Sequence, residues 1–174
     1  MELVKEGVIR PLLHSEIIKE YNEVLRRCKF DLPEQTIIDL IGYLTSLGVF
    51  CDRKEAIESL PDPDDIVFYE VSLSIDDAYL ITGNLKHFPK KGHVVTPAEM
   101  LQIIDLAEKQ DMSVCEPPID YMSEEKRMAI EKGWKAIDKI RAYAQQHGLS
   151  DMPLERINQI IRDYRQERKK HITT

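Results

Sequence analysis

The chain has 174 residues, of which 43% are hydrophobic and 32% are charged, and its formal net charge is −7. This length predicts one ordinary domain with room for an appendage, and the composition is typical of a globular protein. No apolar stretch reaches the length of a transmembrane helix, and the sequence does not begin with a basic segment followed by an apolar signal-peptide core. We therefore expect no membrane association.

The cysteine content indicates a reducing compartment. Cys28, Cys51 and Cys115 are far apart in the sequence and form no CxxC pair. An odd number of cysteines without metal-ligand spacing predicts reduced thiols that pack as small hydrophobic side chains, and hence a cytoplasmic protein without a zinc site.

Charge is divided unevenly along the chain. Residues 1–122 contain 12 Lys+Arg against 23 Asp+Glu, whereas residues 123–174 contain 12 against 8. An acidic body followed by a basic arm can drive self-association or intramolecular docking, although two differently solvated surfaces produce the same pattern. Phosphates bind through cationic contacts, so the acidic body would need a local positive charge, such as a bound metal ion, to hold nucleic acid.

Apolar spacing and capping residues predict the elements of the amino-terminal part of the chain. In chain order they are a helix ended by Gly7, a strand in VIRPLL (8–13), a helix capped by Ser15, a helix that opens at Asp31, Pro33 and Glu34 and ends at Gly48, and a short helix at about Lys54–Ser59.

The stretch LPDPDD (60–65) gathers three carboxylates ahead of the apolar run IVFYEVSL. That run fits both the alternation of a strand and the spacing of a helix. We favour a helix, because Asp64 or Asp65 would be a good N-cap and acidic charge is favoured at that end.

The next segments predict a parallel sheet. AYLITG (78–83) and HVVT (93–96) are apolar enough for buried strands. Thr96 to Glu99 has the pattern of a capping box with proline at the first helical position, which predicts a helix through Ile104. Short apolar strands that alternate with helices indicate a parallel α/β fold.

Residues 116–122 follow Cys115 and contain two prolines, which predicts a linker. Two helices and no strand are predicted beyond it, the first capped by Ser123 and the second opened by Asp151 and Pro153. The apolar face of the second helix is flanked by Arg162, Arg165 and Arg168. Such an amphipathic pair needs a partner surface.

Several polar side chains fall where predicted strands lead into loops and helices, which is where parallel sheets bind ligands. Asp62, Asp64 and Asp65 precede one helix, Asn84 follows AYLITG, and Glu20 borders the apolar face of its helix. Clustered carboxylates are stable around a divalent cation such as Mg²⁺ or Mn²⁺. The same Asp-Pro-Asp-Asp pattern is also ordinary turn and cap chemistry, so both interpretations stay open.

The segment PDPDDIVFYEVSLSIDDAYLITGNLKHFPKKGHVVTPAEML resembles the carboxyl half of a PIN domain, in particular the VapC-like toxins of toxin–antitoxin systems. HSEIIKEYNEVLRRCKF resembles the helix that precedes it in that family, and the resemblance covers roughly residues 1–106. It implies a small α/β nuclease that cuts RNA with Mg²⁺ or Mn²⁺, held by acidic residues at the carboxyl edge of the sheet.

Carried over by position, the resemblance implies roles for individual residues. Glu20 would be the helix carboxylate and Asp65 the central metal ligand, with Asp64 or Asp62 able to take that role. Asn84 stands where many relatives have an aspartate. The implied catalytic residues are Glu20, Asp64 and Asp65, the implied metal ligands are these three with Asn84, and the implied reaction is metal-assisted phosphodiester hydrolysis.

The sequence departs from the family in one respect. PIN domains begin with an apolar strand that ends in Asp-Thr-Asn and supplies the first metal ligand, and no such segment occurs in this sequence. We therefore expect an α/β fold with an incomplete PIN-like parallel sheet over residues 1–115, a linker at 116–122 and an all-helical arm at 123–174. We also expect catalysis to be impaired or self-inhibited.

The segment DMPLERINQIIRDYRQERKK (151–170) is similar to the terminal helix of antitoxins that partner such toxins. This similarity implies that Arg162, Arg165 or Arg168 docks in the acidic groove and forms charge-assisted hydrogen bonds there. The alternative is a solvated charge pattern that stabilises the helix. The expected partners are RNA if the chain is active, an antitoxin or the chain's own arm, and a second copy in a homodimer.

Three functional hypotheses follow. The first is a metal-dependent ribonuclease that acts as a toxin. The second is a non-catalytic toxin–antitoxin remnant or fusion that serves as a protein-interaction module. The third is an unrelated α/β protein without metal chemistry.

Overall fold

The structure is a computed structural model that describes residues 2–27, 30–109 and 123–149, and beyond them Met152, Pro153 and seven of the residues between 155 and 166. The chain forms two compact units, Met1–Ile140 and Arg141–Thr174. The predicted linker at 116–122 lies outside the described residues, so the predicted domain bounds stay a prediction.

Helices and short strands alternate through the first unit. They are α1 (Glu2–Lys5), β1 (Leu12–Leu13), α2 (Ser15–Leu25), α3 (Glu34–Leu47), β2 (Val49–Phe50), a first 3-10 turn (Pro63–Asp65), α4 (Ile66–Ser72), β3 (Leu80–Ile81), a second 3-10 turn (Leu85–His87), β4 (Val94–Val95) and α5 (Pro97–Lys109). Helix α6 (Glu124–Gln146) begins in this unit and extends into the second. The run IVFYEVSL is thus a helix, as predicted.

Two short parallel sheets carry the strands. β1 pairs with β2, with Leu12 opposite Val49, and β3 pairs with β4, with Leu80 opposite Val94. Among the described residues the sheet therefore consists of two separate pairs of strands. Helices flank both pairs, which confirms the expected α/β class with an incomplete parallel sheet and a helical extension.

Helix α4 lies at the centre of the first unit. Its residues Val67 and Val71 form a buried cluster with Ile17 of α2, and α4 also contacts both β1 and β3. Burial of this apolar face holds the helix in place. The start of α4, where Asp65 is located, is therefore fixed relative to both sheets.

The first part of α6 packs against α3. The side chain of Tyr43 is fully buried, and its ring stacks on that of Trp134 with 6.2 Å between the ring centroids. The backbone of Gly133 lies so close to Tyr43 that a Cβ atom there would overlap the tyrosine side chain. This close approach explains why α6 has glycine at that position.

Several predicted helix ends are confirmed. Gly48 ends α3, and the backbone N–H of Thr96 donates to Glu99 at 2.7 Å while the Glu99 N–H donates to Thr96 Oγ1 at 3.2 Å. One cap was assigned wrongly: His14, not Ser15, accepts from the first turn of α2 through its Nδ1 atom. The two positions are adjacent, and the imidazole supplies the acceptor that a serine hydroxyl was expected to supply.

The predicted helix at Lys54–Ser59 is wrong. This segment has no regular secondary structure, because its backbone donors are satisfied by α4. The Lys54 N–H donates to the carbonyl oxygen of Glu70 at 3.2 Å, and the Ala56 N–H donates to Glu70 Oε1 at 3.0 Å. These long-range hydrogen bonds replace the internal ones that a helix would have formed.

In the second unit, the described residues between Glu155 and Gln166 are helical, in agreement with the predicted last helix. Cys51 is a free thiol that packs against the core, whereas Cys28 and Cys115 lie outside the described residues. No helix in the described part of the chain is both long and apolar enough to span a membrane.

Candidate functional site

Asp62 and Asp65 are positioned by the first 3-10 turn. Asp62 caps this turn, since its Oδ1 accepts from the Asp64 N–H at 3.1 Å, and the Asp65 N–H donates to the Asp62 carbonyl at 3.1 Å. Asp65 is the N-cap residue of α4, as predicted, although its side chain makes no capping hydrogen bond there. The turn places Asp65 at the start of α4, where the residue is only 9% exposed.

His87 reaches the same place from the end of β3. The Asn84 N–H donates to Thr82 Oγ1 at 3.1 Å, which turns the chain sharply after the strand. The second 3-10 turn follows, and the His87 N–H donates to the Asn84 carbonyl at 3.1 Å. His87 Nδ1 then lies 2.8 Å from Asp65 Oδ2. Two polar loops at the ends of different elements thus meet at one point.

Three side chains converge there as potential metal ligands. One ligand atom from each of Asp62, Asp65 and His87 lies within 4.8 Å of the other two. Two carboxylates bring negative charge that favours a hard divalent cation, and an imidazole adds a nitrogen donor. The set fits Mn²⁺, and the nitrogen makes it less suited to Mg²⁺, which prefers oxygen ligands. A ring nitrogen of His87 can ligate a cation only when that nitrogen carries no proton.

The other predicted site residues do not belong to this group of three. Glu20 is half-buried on α2. Desolvation of the Tyr21 hydroxyl raises the pKa of Tyr21, and the negative charge of Glu20 raises it further. Asp64 belongs to the same turn as Asp65, and Asn84 begins the turn that carries His87. Neither Glu20 nor Asp64 is one of the three converging ligands, and the roles assigned to Glu20, Asp64 and Asn84 stay predictions.

The arginines predicted to dock in the acidic groove are only partly described. Arg162 is exposed, and its guanidinium donates to Gln159 Oε1 of its own helix at 3.0 Å. Arg165 and Arg168 lie outside the described residues. The docking of these three side chains stays a prediction.

An ion-pair network anchors the loop that leads to Asp62. Arg53 donates to Glu70 at 2.7 Å and to both carboxylate oxygens of Glu16 at 2.8 and 2.9 Å. Glu70 is 7% exposed, and its pKa is lowered first by the hydrogen bond from the Ala56 N–H and then by Arg53. The hydrogen bonds to Glu70 and Glu16 raise the pKa of Arg53. The loop is thus tied to both α2 and α4.

Sequence reasoning missed His87. A signal was present, because this histidine follows Asn84 by three residues at the predicted carboxyl edge of the sheet, where a side chain can face a ligand. Its contact with Asp65 joins residues 22 positions apart, and no local pattern predicts such a distance.

The chain matches a family model described as PIN domain over residues 1–86. The matched range contains Asp62 and Asp65 and ends one residue before His87. Comparisons with curated proteins and with solved structures gave no significant match. The match to residues 1–86 supports a PIN-domain protein and, in general terms, a nuclease-type function.

Proposed function

We propose that this chain is an endoribonuclease of the PIN family that depends on Mn²⁺ or Mg²⁺, and that Asp62, Asp65 and His87 hold the cation. The observation that carries the proposal is the convergence of these three side chains within 4.8 Å in a chain that matches a PIN domain. Glu20, Asp64 and Asn84 are proposed as further polar contributors at the same edge.

The residues of the chain have separable tasks in this proposal. When bound, the cation supplies Lewis-acid stabilisation of the negative charge that grows on the scissile phosphate during hydrolysis. Asp62 and Asp65 provide the anionic oxygens that attract it. The 2.8 Å contact with His87 holds Asp65 Oδ2 in one orientation. The burial of Asp65 keeps its carboxylate from being fully hydrated, which strengthens its interaction with a cation.

We further propose that the activity of this chain is impaired. Asn84 is neutral where an aspartate would add a third negative charge. Asp65 Oδ2 is already in contact with the His87 ring, so a cation has to compete with this contact or share it. Both features lower cation affinity relative to a site built of carboxylates alone.

The biological role is proposed from the sequence resemblance. A VapC-like toxin component would have an antitoxin as its partner, with a homodimer and a cytoplasmic setting as further expectations. The basic residues of the carboxyl-terminal arm are consistent with a segment that binds an acidic surface.

Calorimetric titration with Mn²⁺, together with an RNA cleavage assay, tests the proposal. The full chain should bind Mn²⁺ and cleave RNA only when a divalent cation is present, and Asp65→Asn should lose both properties. Asp76→Asn is the matched control, because Asp76 is an exposed aspartate outside the group of three. Absence of Mn²⁺ binding by the unmodified chain would overturn the metal site.

A non-catalytic interaction module is the second candidate. The contact between His87 and Asp65 favours it, because an imidazole satisfies the buried carboxylate without a cation. In that case Asp65→Asn should lower the free energy of unfolding in metal-free buffer, and no RNA should be cleaved at any Mn²⁺ concentration.

A further inference from the structure

One segment of this acidic chain contains no acidic residue. Between Asp77 and Glu99, the residues Ala78–Ala98 include three lysines and two histidines but no Asp or Glu, and this is the longest such stretch in the sequence. It comprises β3, the second 3-10 turn and β4. It therefore borders the candidate metal site, because His87 belongs to it.

The loop that connects the two strands is held at several points. His87 contacts Asp65 at 2.8 Å, Lys91 Nζ pairs with Glu58 Oε1 at 2.9 Å, and the Leu80 N–H donates to the His93 carbonyl at 2.8 Å. Anchors of this kind limit the conformations that the loop can adopt. We define residues 84–93 as the basic loop.

Two lysines of the basic loop, Lys86 and Lys90, are exposed to solvent. Lys86 directly precedes His87, and Lys90 directly precedes the paired Lys91. Both Lys86 and Lys90 are exposed, and neither forms an ion pair with any residue in the part of the chain that the structure describes. Their charges are therefore available to a ligand, whereas that of Lys91 is partly neutralised by Glu58.

We propose that Lys86 and Lys90 bind phosphates of single-stranded RNA and hold the strand across Asp62, Asp65 and His87. The inference rests on the proposed ribonuclease function and names the residues that recognise its substrate. Lysine is a compact point charge that suits a phosphodiester oxygen, and each such contact releases condensed counterions from the nucleic acid. Residues 1–122 contain 12 Lys+Arg against 23 Asp+Glu, so the rest of this part of the chain repels a polyanion. We therefore expect RNA to approach this part of the chain at the basic loop.

The test is fluorescence anisotropy with a labelled single-stranded RNA and the full chain, in EDTA to prevent cleavage and at several salt concentrations. Lys86→Gln and Lys90→Gln should each weaken binding about fivefold at about 0.1 M salt, and each should reduce the slope of log K against log salt by about 0.7. Lys132→Gln and Lys139→Gln are matched controls, because both are exposed lysines on α6. The controls should leave affinity and slope unchanged.

Three results would overturn the inference. They are absence of RNA binding by the unmodified chain, unchanged affinity and slope in the double variant of Lys86 and Lys90, and an equal loss in the α6 controls. Light scattering on the same samples tests for a protein ligand: loss of self-association with unchanged RNA affinity would make the basic loop a protein-contact surface and overturn the inference.

The Mn²⁺ titration is interpreted separately from RNA binding. Lysine-dependent RNA binding without Mn²⁺ binding would support this inference and overturn the metal-dependent function.

Discussion

His87 Nδ1 lies 2.8 Å from Asp65 Oδ2, and this contact joins the turn before α4 to the turn after β3. Both side chains are largely removed from solvent. The contact brings an imidazole into a carboxylate cluster, and the interpretation of the cluster depends on whether that imidazole acts as a metal ligand, as a structural partner of Asp65, or as both.

The first prediction concerns His87→Ala. The variant should bind Mn²⁺ more weakly, because one of three converging ligands is lost. In metal-free buffer it should also lose about 2 kcal/mol of unfolding free energy, since the buried Asp65 carboxylate loses a hydrogen-bonding partner. Calorimetry and urea denaturation measure the two effects. His147→Ala is the control, because His147 is an exposed histidine of the second unit whose ring contacts Tyr143 of α6.

The second prediction concerns Asn84→Asp. An additional negative charge at the start of the turn that carries His87 should raise the affinity for Mn²⁺ and, if the chain is a ribonuclease, its cleavage rate. Calorimetric titration of the variant beside the unmodified chain measures the change. An unchanged or lower Mn²⁺ affinity would show that the side chain at position 84 does not face the cation.

The third prediction is a pH dependence that arises from Glu70. Its folded-state pKa is lowered from the ordinary value of 4.5 by the Ala56 N–H and by Arg53. The stabilisation is therefore complete above pH 4.5 and is lost as the pH falls through the lower folded-state pKa. Urea denaturation between about pH 6 and about pH 3 should show a steeper loss of stability for the unmodified chain than for Glu70→Gln. Parallel curves would contradict the assignment.

The fourth prediction compares two helical glycines. Gly133→Ala should destabilise the protein by about 1–3 kcal/mol, because the new methyl group meets the buried side chain of Tyr43. Gly42→Ala, on α3, should be neutral or stabilise by up to about 1 kcal/mol, because, apart from the adjoining backbone of α3, no atom of the described residues lies within 4 Å of the added Cβ. Thermal or urea unfolding measures both. Equal effects of the two substitutions would contradict the close packing of α6 on α3.

The fifth prediction uses Tyr43 itself. The residue is 0% exposed, and its hydroxyl has no hydrogen-bond partner in the described part of the chain. Tyr43→Phe should therefore leave the free energy of unfolding unchanged or raise it by up to about 1 kcal/mol, since it removes a buried hydroxyl whose desolvation is not compensated by a hydrogen bond. A loss of more than about 1 kcal/mol would show that this hydroxyl has a bonding partner after all.

Much of the secondary structure could be predicted from local patterns. The capping box of Thr96 and Glu99, the end of α3 at Gly48 and the helix that follows the aspartates all depend on residues a few positions apart. These signals work because capping and helical amphipathicity are short-range effects. Asp62 and Asp65 converge with His87, which follows β3, whereas the roles predicted for the aspartates stay predictions.

What the sequence by itself determined is therefore the order and type of most elements, the acidic turn at Asp62–Asp65 and the uneven charge of the chain, but not the strand β2 at Val49–Phe50. Only the tertiary structure decided which side chains meet. Glu70 satisfies the backbone of Lys54 and Ala56, so that segment is a loop although its composition suits a helix. His87, which follows β3, reaches Asp65 at the start of α4, and α4 packs against β3. Such contacts depend on burial of apolar surface between elements distant in sequence, which no local pattern encodes.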